Sequence, residues 1–201
     1  MIAIIDYDAG NIASVQKAFQ YLGKQVIVTR NTKEILAADH VVLPGVGAYG
    51  DCMQKLQSYQ LVDTIHQLVK NQTPFLGICL GLQLMFDSSE EGGLIQGLSL
   101  APGSILKIPS CGELKIPHIG WNSIEICPES RLFRGIDNHS YVYFVHSYYL
   151  KAQDESMVAA TTEYGTHIHA AIEKENLFAC QFHPEKSGEV GLQILKNFSS
   201  L

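Results

Sequence analysis

The sequence predicts an α/β fold with a mainly parallel, open sheet flanked by helices and additional antiparallel strands in the C-terminal half. In the first half, short apolar runs of strand length alternate with stretches in which apolar residues recur every three or four positions. Such runs are typical of strands that are buried on both faces of a parallel sheet. From about Ser104 the pattern changes to β-branched and aromatic runs separated by turn residues, which indicates mainly strands.

The predicted elements of the first half alternate between strand and helix along the chain. Residues 2–6 form a buried strand, and apolar residues from Ile12 to Leu22 then recur at helical spacing until Gly23 ends the helix. The next strands are expected at residues 25–29, 41–43 and 73–79. A helical stretch precedes the last of these strands, and a helix at residues 80–86 follows it. The inner face of the helical stretch is predicted to contain Leu56, Leu61, Ile65 and Leu68.

The second half is predicted to add strands at residues 105–108, 123–126, 141–149, 157–161 and 178–182. A final helix is expected from about residue 189 to residue 198. No repeat, low-complexity stretch or linker interrupts the chain, and 201 residues fit the usual size of one domain. The prediction is therefore a single domain over residues 1–201.

The composition is that of an ordinary globular protein and disfavours several function classes. Apolar residues make up 46% of the chain and charged residues 17%. The net charge of −6, without a cluster of Lys and Arg, disfavours nucleic acid as the main partner, because phosphate binding depends on clustered positive charge. The N-terminus lacks the features of a signal peptide, and no apolar run approaches the roughly 20 residues of a membrane helix. We therefore expect no membrane association.

The cysteines are odd in number and scattered, unlike a disulfide framework or a CxxC metal pair. This pattern predicts a cytoplasmic protein with free thiols and without a metal or other cofactor. Only Cys79 lies in a setting that indicates chemistry. The other four are expected to be small buried hydrophobic residues, namely Cys52, Cys111, Cys127 and Cys180.

Cys79 is the central residue of Gly77-Ile78-Cys79-Leu80-Gly81, where a predicted strand runs directly into a predicted helix. This arrangement matches the nucleophile elbow, which is written G-x-S-x-G in hydrolases. The corner is expected to strain the cysteine backbone and to expose its sulfur at the carboxyl end of the sheet. The start of the following helix favours a thiolate and stabilises an oxyanion. The same spacing is also compatible with a structural turn.

His183 is the candidate base for this thiol because Phe182-His183-Pro184-Glu185 ends a predicted strand. In extended geometry, residues two positions apart point in the same direction. Glu185 is therefore predicted to accept a hydrogen bond from one ring nitrogen of His183, which leaves the other nitrogen for Cys79. The alternative is an ordinary surface histidine at the end of a strand.

The segment Leu43-Pro44-Gly45-Val46-Gly47 ends another predicted strand with a loop that is almost free of side chains. The backbone N–H groups of Val46 and Gly47 are expected to point at a substrate carbonyl. Together with the amide of Leu80 they would form an oxyanion hole. Glycines alone are also compatible with a simple turn.

Two segments of the sequence resemble the signatures of class I glutamine amidotransferases, namely PFLGICLGLQLMF and QFHPEKS. Other segments narrow the resemblance to the glutaminase subunits of imidazole glycerol phosphate synthases, namely DYDAGNIASV, LPGVGAYGDCM, IPHIGWNSI and YVYFVHSYY. The resemblance covers essentially the whole chain, and it implies a single glutaminase domain with a mainly parallel, flavodoxin-like α/β sheet. The family more often has Met at Leu82 and Ile119, and both differences are apolar exchanges.

The resemblance also implies a reaction. Cys79 would attack the side-chain carboxamide of L-glutamine, and His183 would take the thiol proton and deliver it to the departing ammonia. Water would then release glutamate from the thioester. The amino-acid end of glutamine would be held by Gln83, Glu91 and the backbone around Ser147 and Tyr148. A carboxylate facing an ammonium group is physically reasonable for Glu91, although an acid in a Ser-Ser-Glu-Glu surface loop is the alternative.

The partner implied by the resemblance is a separate cyclase subunit with a (β/α)₈ barrel, bound as a heterodimer. It joins ammonia to a phosphorylated nucleotide and produces imidazole glycerol phosphate and an aminoimidazole carboxamide ribonucleotide in histidine biosynthesis. In such complexes the glutaminase is nearly silent until the cyclase binds its nucleotide. The peptide between Gly45 and Val46 is the expected switch, since glycine lowers the cost of turning it over. The interface is predicted to contain Asn11, Trp121, Tyr143 and Lys186.

Three other functions are compatible with parts of this pattern. A glutaminase that feeds a different synthase, such as a sugar amidotransferase, shares the same chemistry. A cysteine-dependent hydrolase or peptidase of related fold would need neither Gln83 nor Glu91. A binding module without activity has no reason to retain Cys79, His183 and Glu185 together.

Overall fold

The computed structural model describes residues 1–110, 112 and 114–201. The helices are α1 (Ile12–Tyr21), α2 (Thr32–Leu36), α3 (Tyr49–Ser58), α4 (Leu61–Lys70), α5 (Leu80–Leu84) and α6 (Gly188–Phe198). Short 3₁₀ helices are formed by Glu155–Met157 and Pro184–Lys186. The strands are β1 (Ile2–Ile5), β2 (Val26–Thr29), β3 (His40–Gly45), β4 (Phe75–Cys79), β5 (Ser88–Ser89), β6 (Ile95–Gln96), β7 (Gly103–Lys107), β8 (His118–Ser123), β9 (Glu125–Ile126), β10 (Tyr141–His146), β11 (Tyr148–Ala152), β12 (Val158–Glu163), β13 (His167–Lys174) and β14 (Leu177–Cys180).

The largest sheet has the strand order β2-β1-β3-β4-β14-β13-β12-β9. Its strands from β2 to β14 pair in parallel, and the pairings from β14 to β9 are antiparallel. The remaining strands form a β10-β8 ribbon and a second sheet in the order β11-β7-β5-β6. The predicted mainly parallel sheet with antiparallel strands from the C-terminal half is therefore confirmed.

Both faces of the large sheet are covered, because successive side chains of a strand point to opposite sides. In β1, Ala3 and Ile5 belong to the apolar core beneath α2, α3 and α4. Ile2 and Ile4 belong to the opposite core, where Phe19 of α1 packs near Phe198 of α6. The carboxyl ends of the parallel strands remain uncovered by these helices, and this edge positions the functional site.

The helical stretch expected before β4 is two helices instead of one. The residues predicted for its inner face are all buried, but the chain breaks at Gln60, whose φ of 56° lies in the left-handed region. Helix α2 was not predicted. It forms because the side chain of Asn31 accepts hydrogen bonds from the backbone N–H groups of Lys33 and Glu34.

Several strand predictions were wrong in detail. The run at residues 141–149 is two strands divided at Ser147, because β10 pairs with β8 whereas β11 pairs with β7. The prediction at residues 123–126 covers β9 but only the last residue of β8, and β13 was not predicted. Strand β14 ends at Cys180, before the residues that were expected to continue it.

The described cysteines are free thiols. Cys52 and Cys180 are buried, as expected, but Cys127 is exposed in the loop after the edge strand β9, so that prediction was wrong. Cys111 lies outside the described residues. Within the described ranges, no helix has the length and apolar content needed to cross a membrane, and no group of three or more His, Cys, Asp or Glu residues is arranged to hold a metal ion.

Candidate active site

Cys79 occupies the corner between β4 and α5, with φ of 56° and ψ of −110°. This is the strained backbone geometry that the glycine spacing predicts. Gly81 is required because an added Cβ would lie 1.9 Å from the carbonyl oxygen of Leu43. The close approach of α5 to β3 therefore fixes the direction in which the cysteine side chain leaves the sheet.

The imidazole of His183 is held by Glu185, whose Oε1 accepts a hydrogen bond from Nδ1 at 2.8 Å. The two side chains are 2% and 0% exposed. The predicted contact exists, but the predicted reason was wrong. Pro184–Lys186 is a 3₁₀ helix and not extended backbone, so a turn brings Glu185 back beneath the ring. Asn11 also donates to Glu185 Oε1, at 3.2 Å.

The second ring nitrogen of His183, Nε2, is buried and has no hydrogen-bond partner among the described residues. Burial lowers the pKa of His183, but its hydrogen bond with Glu185 and its interactions with the neighbouring Cys79 sulfur outweigh burial and raise the pKa to about 10. The ring therefore carries a proton at neutral pH.

The sulfur of Cys79 has two further polar neighbours. Gln181 donates from Nε2 at 3.8 Å, and the carbonyl oxygen of Val145 lies at 3.9 Å. Gln181 is fully buried, and its Oε1 accepts a hydrogen bond from Gln83 at 2.9 Å. Gln181 thus connects the nucleophile to a residue predicted to bind substrate. Sequence reasoning missed it, although it lies only two positions before His183.

A pocket of about 360 Å³ opens at this edge of the sheet, a size typical of small-molecule sites. It brings together the predicted catalytic, oxyanion and substrate-binding residues, apart from Glu185, which lies behind His183. The lining residues are Val46, Gly47, Cys79, Leu80, Gln83, Glu91, Pro117, Val145, His146, Ser147, Tyr148, His183 and Lys186.

Gln83 and Glu91 both line the pocket, and each is held by a hydrogen bond with a backbone group. Gln83 donates from Nε2 to the carbonyl oxygen of Tyr148 at 3.0 Å. Glu91 accepts a hydrogen bond from the backbone N–H of Tyr49 at 3.0 Å, at the first residue of α3. A carboxylate is favourable at a helix N-terminus, so Glu91 is fixed in the pocket wall and is not an acid of a free surface loop.

The loop after β3 is held on both sides of the peptide that joins Gly45 to Val46. The hydroxyl of Tyr7 donates to the carbonyl oxygen of Pro44 at 2.7 Å, and Cys52 Sγ donates to that of Val46 at 3.6 Å. Burial keeps the pKa of Tyr7 well above its usual range, so its hydroxyl remains a donor. The peptide that joins Gly45 to Val46 therefore lies between two carbonyl groups that are both held by hydrogen bonds.

The predicted interface residues fall into two groups. Trp121 is 55% exposed and lies edge-to-face against Tyr143 of the paired strand, with ring centroids 6.1 Å apart. Lys186 Nζ lies 5.8 Å from the centroid of the Tyr143 ring and also lines the pocket. Trp121 and Lys186 are exposed and Tyr143 is half-buried, and together they form a surface beside the pocket. Asn11 forms the second group, because its side-chain amide donates a hydrogen bond to Glu185.

Residues 3–200 match the family model described as glutamine amidotransferase class-I. The chain is 50% identical over 200 residues to imidazole glycerol phosphate synthase subunit HisH of Moorella thermoacetica, with 100% of this chain and 94% of that protein covered. It is 49% identical over 201 residues to the protein of the same name from Methanocaldococcus jannaschii, with both chains fully covered.

Two solved structures are similar in fold. A crystal structure of a glutamine amidotransferase superposes with a TM-score of 0.76 at 14% identity, covering 99% of this chain and 100% of that one. A glutamine amidotransferase from Thermotoga maritima gives a TM-score of 0.63 at 19% identity, covering 99% and 82%. At these identities the likeness shows the fold alone.

Proposed function

The chain belongs to the class I glutamine amidotransferase family, and on this premise we propose that it hydrolyses L-glutamine and supplies the ammonia to an imidazole glycerol phosphate synthase in histidine biosynthesis. Cys79 is the proposed nucleophile, His183 the acid and base, and Glu185 the residue that orients the ring. One observation carries this proposal. Cys79 and the unpartnered side of His183 line one pocket, while Glu185 binds the opposite ring nitrogen at 2.8 Å.

In the proposed mechanism, the Cys79 thiolate attacks the carbon of the glutamine carboxamide and pushes its electrons onto the oxygen. The N–H groups of Leu80, Val46 and Gly47 are the proposed donors to that oxyanion. When the tetrahedral intermediate collapses, the C–N bond breaks and the His183 imidazolium gives its proton to the leaving ammonia. Neutral His183 then takes a proton from the attacking water, and the thioester is hydrolysed to glutamate and free thiolate.

Glutamine is proposed to lie with its amino-acid end against Gln83, Glu91 and the backbone of Ser147 and Tyr148. The Glu91 carboxylate is suited to an ammonium group, and its bond to the first N–H of α3 fixes where that charge lies. These residues and Cys79 line the same pocket, which supports a substrate that reaches from one to the other.

The relatives are named as subunits of a synthase, which implies a cyclase partner for this chain. We propose that the partner is a (β/α)₈ barrel, that the complex is a heterodimer, and that residues 1–201 act as one glutaminase domain. The proposed docking face contains Trp121, Tyr143 and Lys186. Ile119 and Tyr141, each 60% exposed, extend it on the same ribbon. Exposed aromatic patches beside a polar rim are typical of protein interfaces.

Docking at this face would keep ammonia away from bulk water, where it would be protonated and lose its nucleophilicity. Val145, the last outward-facing residue of β10, lines the pocket and joins it to the docking face. The free thiols among the described residues fit a reducing compartment, so we propose that the protein works in the cytoplasm.

The peptide between Gly45 and Val46 is the proposed switch through which the cyclase and its nucleotide activate glutamine hydrolysis. Gly45→Pro would be expected to abolish this stimulation. However, a Cβ at residue 45 would lie 2.6 Å from the backbone nitrogen of Gly81, so this change also disturbs the helix after Cys79. A variant that leaves α5 in place is therefore the better probe of the switch.

The decisive experiment measures glutamate production with and without a cyclase and its nucleotide. Cys79→Ala should remove all turnover while the complex still assembles. Cys127→Ala is the matched control, because this exposed thiol lies outside the pocket and should leave the rate unchanged. Glutamate production that persists in Cys79→Ala would overturn the proposed mechanism.

A further inference from the structure

A chain of hydrogen bonds runs from Asn122 through two buried histidines to the pocket wall. The amide of Asn122 lies 3.5 Å from Nε2 of His118, and Nδ1 of His118 lies 3.0 Å from Nε2 of His146. Nδ1 of His146 lies 2.9 Å from the carbonyl oxygen of Tyr148. The proposed mechanism uses none of these side chains.

The direction of every hydrogen bond in this series follows from the groups at its two ends, the Asn122 amide and the Tyr148 carbonyl. A carbonyl oxygen only accepts, so His146 must carry its proton on Nδ1 and accept at Nε2. His118 must then donate from Nδ1, which leaves its Nε2 to accept from the Asn122 amide. Asn122 is itself oriented, because its Nδ2 also donates to the carbonyl oxygen of Glu163 and its Oδ1 accepts from the backbone N–H of Ser123.

Both rings are buried and neutral. Burial lowers the pKa of His118 to about 4 and that of His146 to about 3. His118 also stacks between the rings of Tyr164 and Phe144, at centroid distances of 3.9 and 4.7 Å. A neutral imidazole has one donor and one acceptor. The Tyr148 carbonyl at the end of the series therefore leaves a single arrangement of the protons on the two rings.

This series of hydrogen bonds ends at the carbonyl oxygen of Tyr148, which also holds Gln83. The Tyr148 oxygen accepts from Gln83 Nε2 at 3.0 Å as well as from His146, so both of its lone pairs are used. On the other side of this residue, the Ser147 carbonyl accepts from the backbone N–H of Ile108 at 2.9 Å. The two peptides that flank the Tyr148 Cα are therefore both held.

This arrangement orients the backbone N–H of Tyr148 toward the pocket. In an extended strand the N–H and C=O of one residue point to the same side. The Tyr148 carbonyl points away from β7, toward Gln83, so the Tyr148 N–H faces that side as well. Tyr148 lines the pocket, and an N–H on this side would be placed to donate to the carboxylate of a bound glutamine.

We propose that His118 and His146 are positioning residues for glutamine, which act by holding the Tyr148 backbone and Gln83 in the geometry that binds the amino-acid end of the substrate. The inference rests on the proposed glutaminase function. Because this end of glutamine does not react, weakening its support should raise KM more than it lowers kcat.

The test compares two variants of His118 in the complex with the cyclase and its nucleotide. His118→Phe keeps a ring between Tyr164 and Phe144 but removes the donor to His146. His118→Asn loses the ring but keeps a donor near the position of Nδ1. For His118→Phe we expect KM for glutamine to rise about threefold to tenfold, the range of one lost hydrogen bond, with kcat changed less than twofold. His118→Asn should return KM toward the wild-type value.

A role in packing alone predicts the opposite order, with His118→Phe near wild type and His118→Asn impaired, and that result would overturn the proposal. If His118→Phe fails to fold, His146→Asn and His146→Leu provide the same comparison, because only Asn retains a donor toward Tyr148. An equal KM in that pair would also overturn it. A wild-type complex without glutaminase activity would instead contradict the proposed function itself.

Discussion

Asn11 and Glu185 are 174 positions apart in the sequence, yet the Asn11 amide lies 3.2 Å from the carboxylate oxygen that also binds His183. Asn11 precedes α1, and its side chain does not cap that helix because it turns toward the 3₁₀ helix of Glu185. A residue predicted for the partner interface therefore also supports the buried acid of the proposed triad.

Asn11→Ala should reduce kcat of the complex and of the isolated subunit by the same factor, about twofold to tenfold. The physical reason is that Glu185 loses one of its hydrogen-bond donors and holds the ring less firmly. Steady-state glutaminase assays with and without the cyclase check this prediction. A role confined to the interface would instead weaken assembly and leave the basal kcat of the isolated subunit unchanged.

The raised pKa of His183 predicts an unusual titration. The imidazole should lose its proton near pH 10 and not near 6.5, because Glu185 and Cys79 stabilise its charged form against the opposing effect of burial. The folded-state pKa lies above the unfolded value, so the pair contributes stability that is fully present below about pH 6.5 and is lost as the pH rises through about 10. Glutaminase activity should fall over the same alkaline range, since neutral His183 cannot protonate ammonia.

NMR of ¹³C-labelled histidine measures this titration directly, and the signal absent from His183→Asn identifies the residue. Glu185→Gln keeps an oxygen acceptor but removes the charge, so it should shift the midpoint downward. A midpoint near 6.5 in the wild-type protein would contradict the charged resting state. His146 is the internal control, because burial should keep its imidazole neutral at neutral and alkaline pH.

Tyr7→Phe should lower the stimulated kcat about twofold to tenfold while leaving KM for glutamine nearly unchanged. The substitution removes the donor to the Pro44 carbonyl and the hydroxyl's hydrogen bond with the Cys52 thiol, and it leaves the buried ring in its apolar surroundings. Val46 and Gly47 are the proposed oxyanion donors, and a less ordered loop would present their N–H groups less well to an oxyanion that forms only during the reaction. An equal loss in KM would show that the loop binds substrate instead.

The local parts of the site were predictable from the sequence, and the parts that depend on distant contacts were not. The corner at Cys79 follows from glycines at fixed spacing, and the link between His183 and Glu185 lies within one short segment. No local pattern reveals that Tyr7 reaches Pro44, 37 positions away, or that His118 and His146 pair across β8 and β10. The splitting of residues 141–149 at Ser147 was missed for the same reason, since it depends on which strands pair.

Trp121→Ala should weaken binding of the cyclase about tenfold to a hundredfold, because a large exposed aromatic side chain at a protein interface commonly contributes about 1–3 kcal/mol or more. Tyr21→Ala is the matched control. Tyr21 is 79% exposed but ends α1, a helix that starts beside the site and runs to the opposite edge of the sheet. Titration calorimetry of both variants against the cyclase measures the difference, while Cys79 alkylation confirms that the pocket is intact. Equal affinities for the two variants would exclude the β8–β10 ribbon as the docking face.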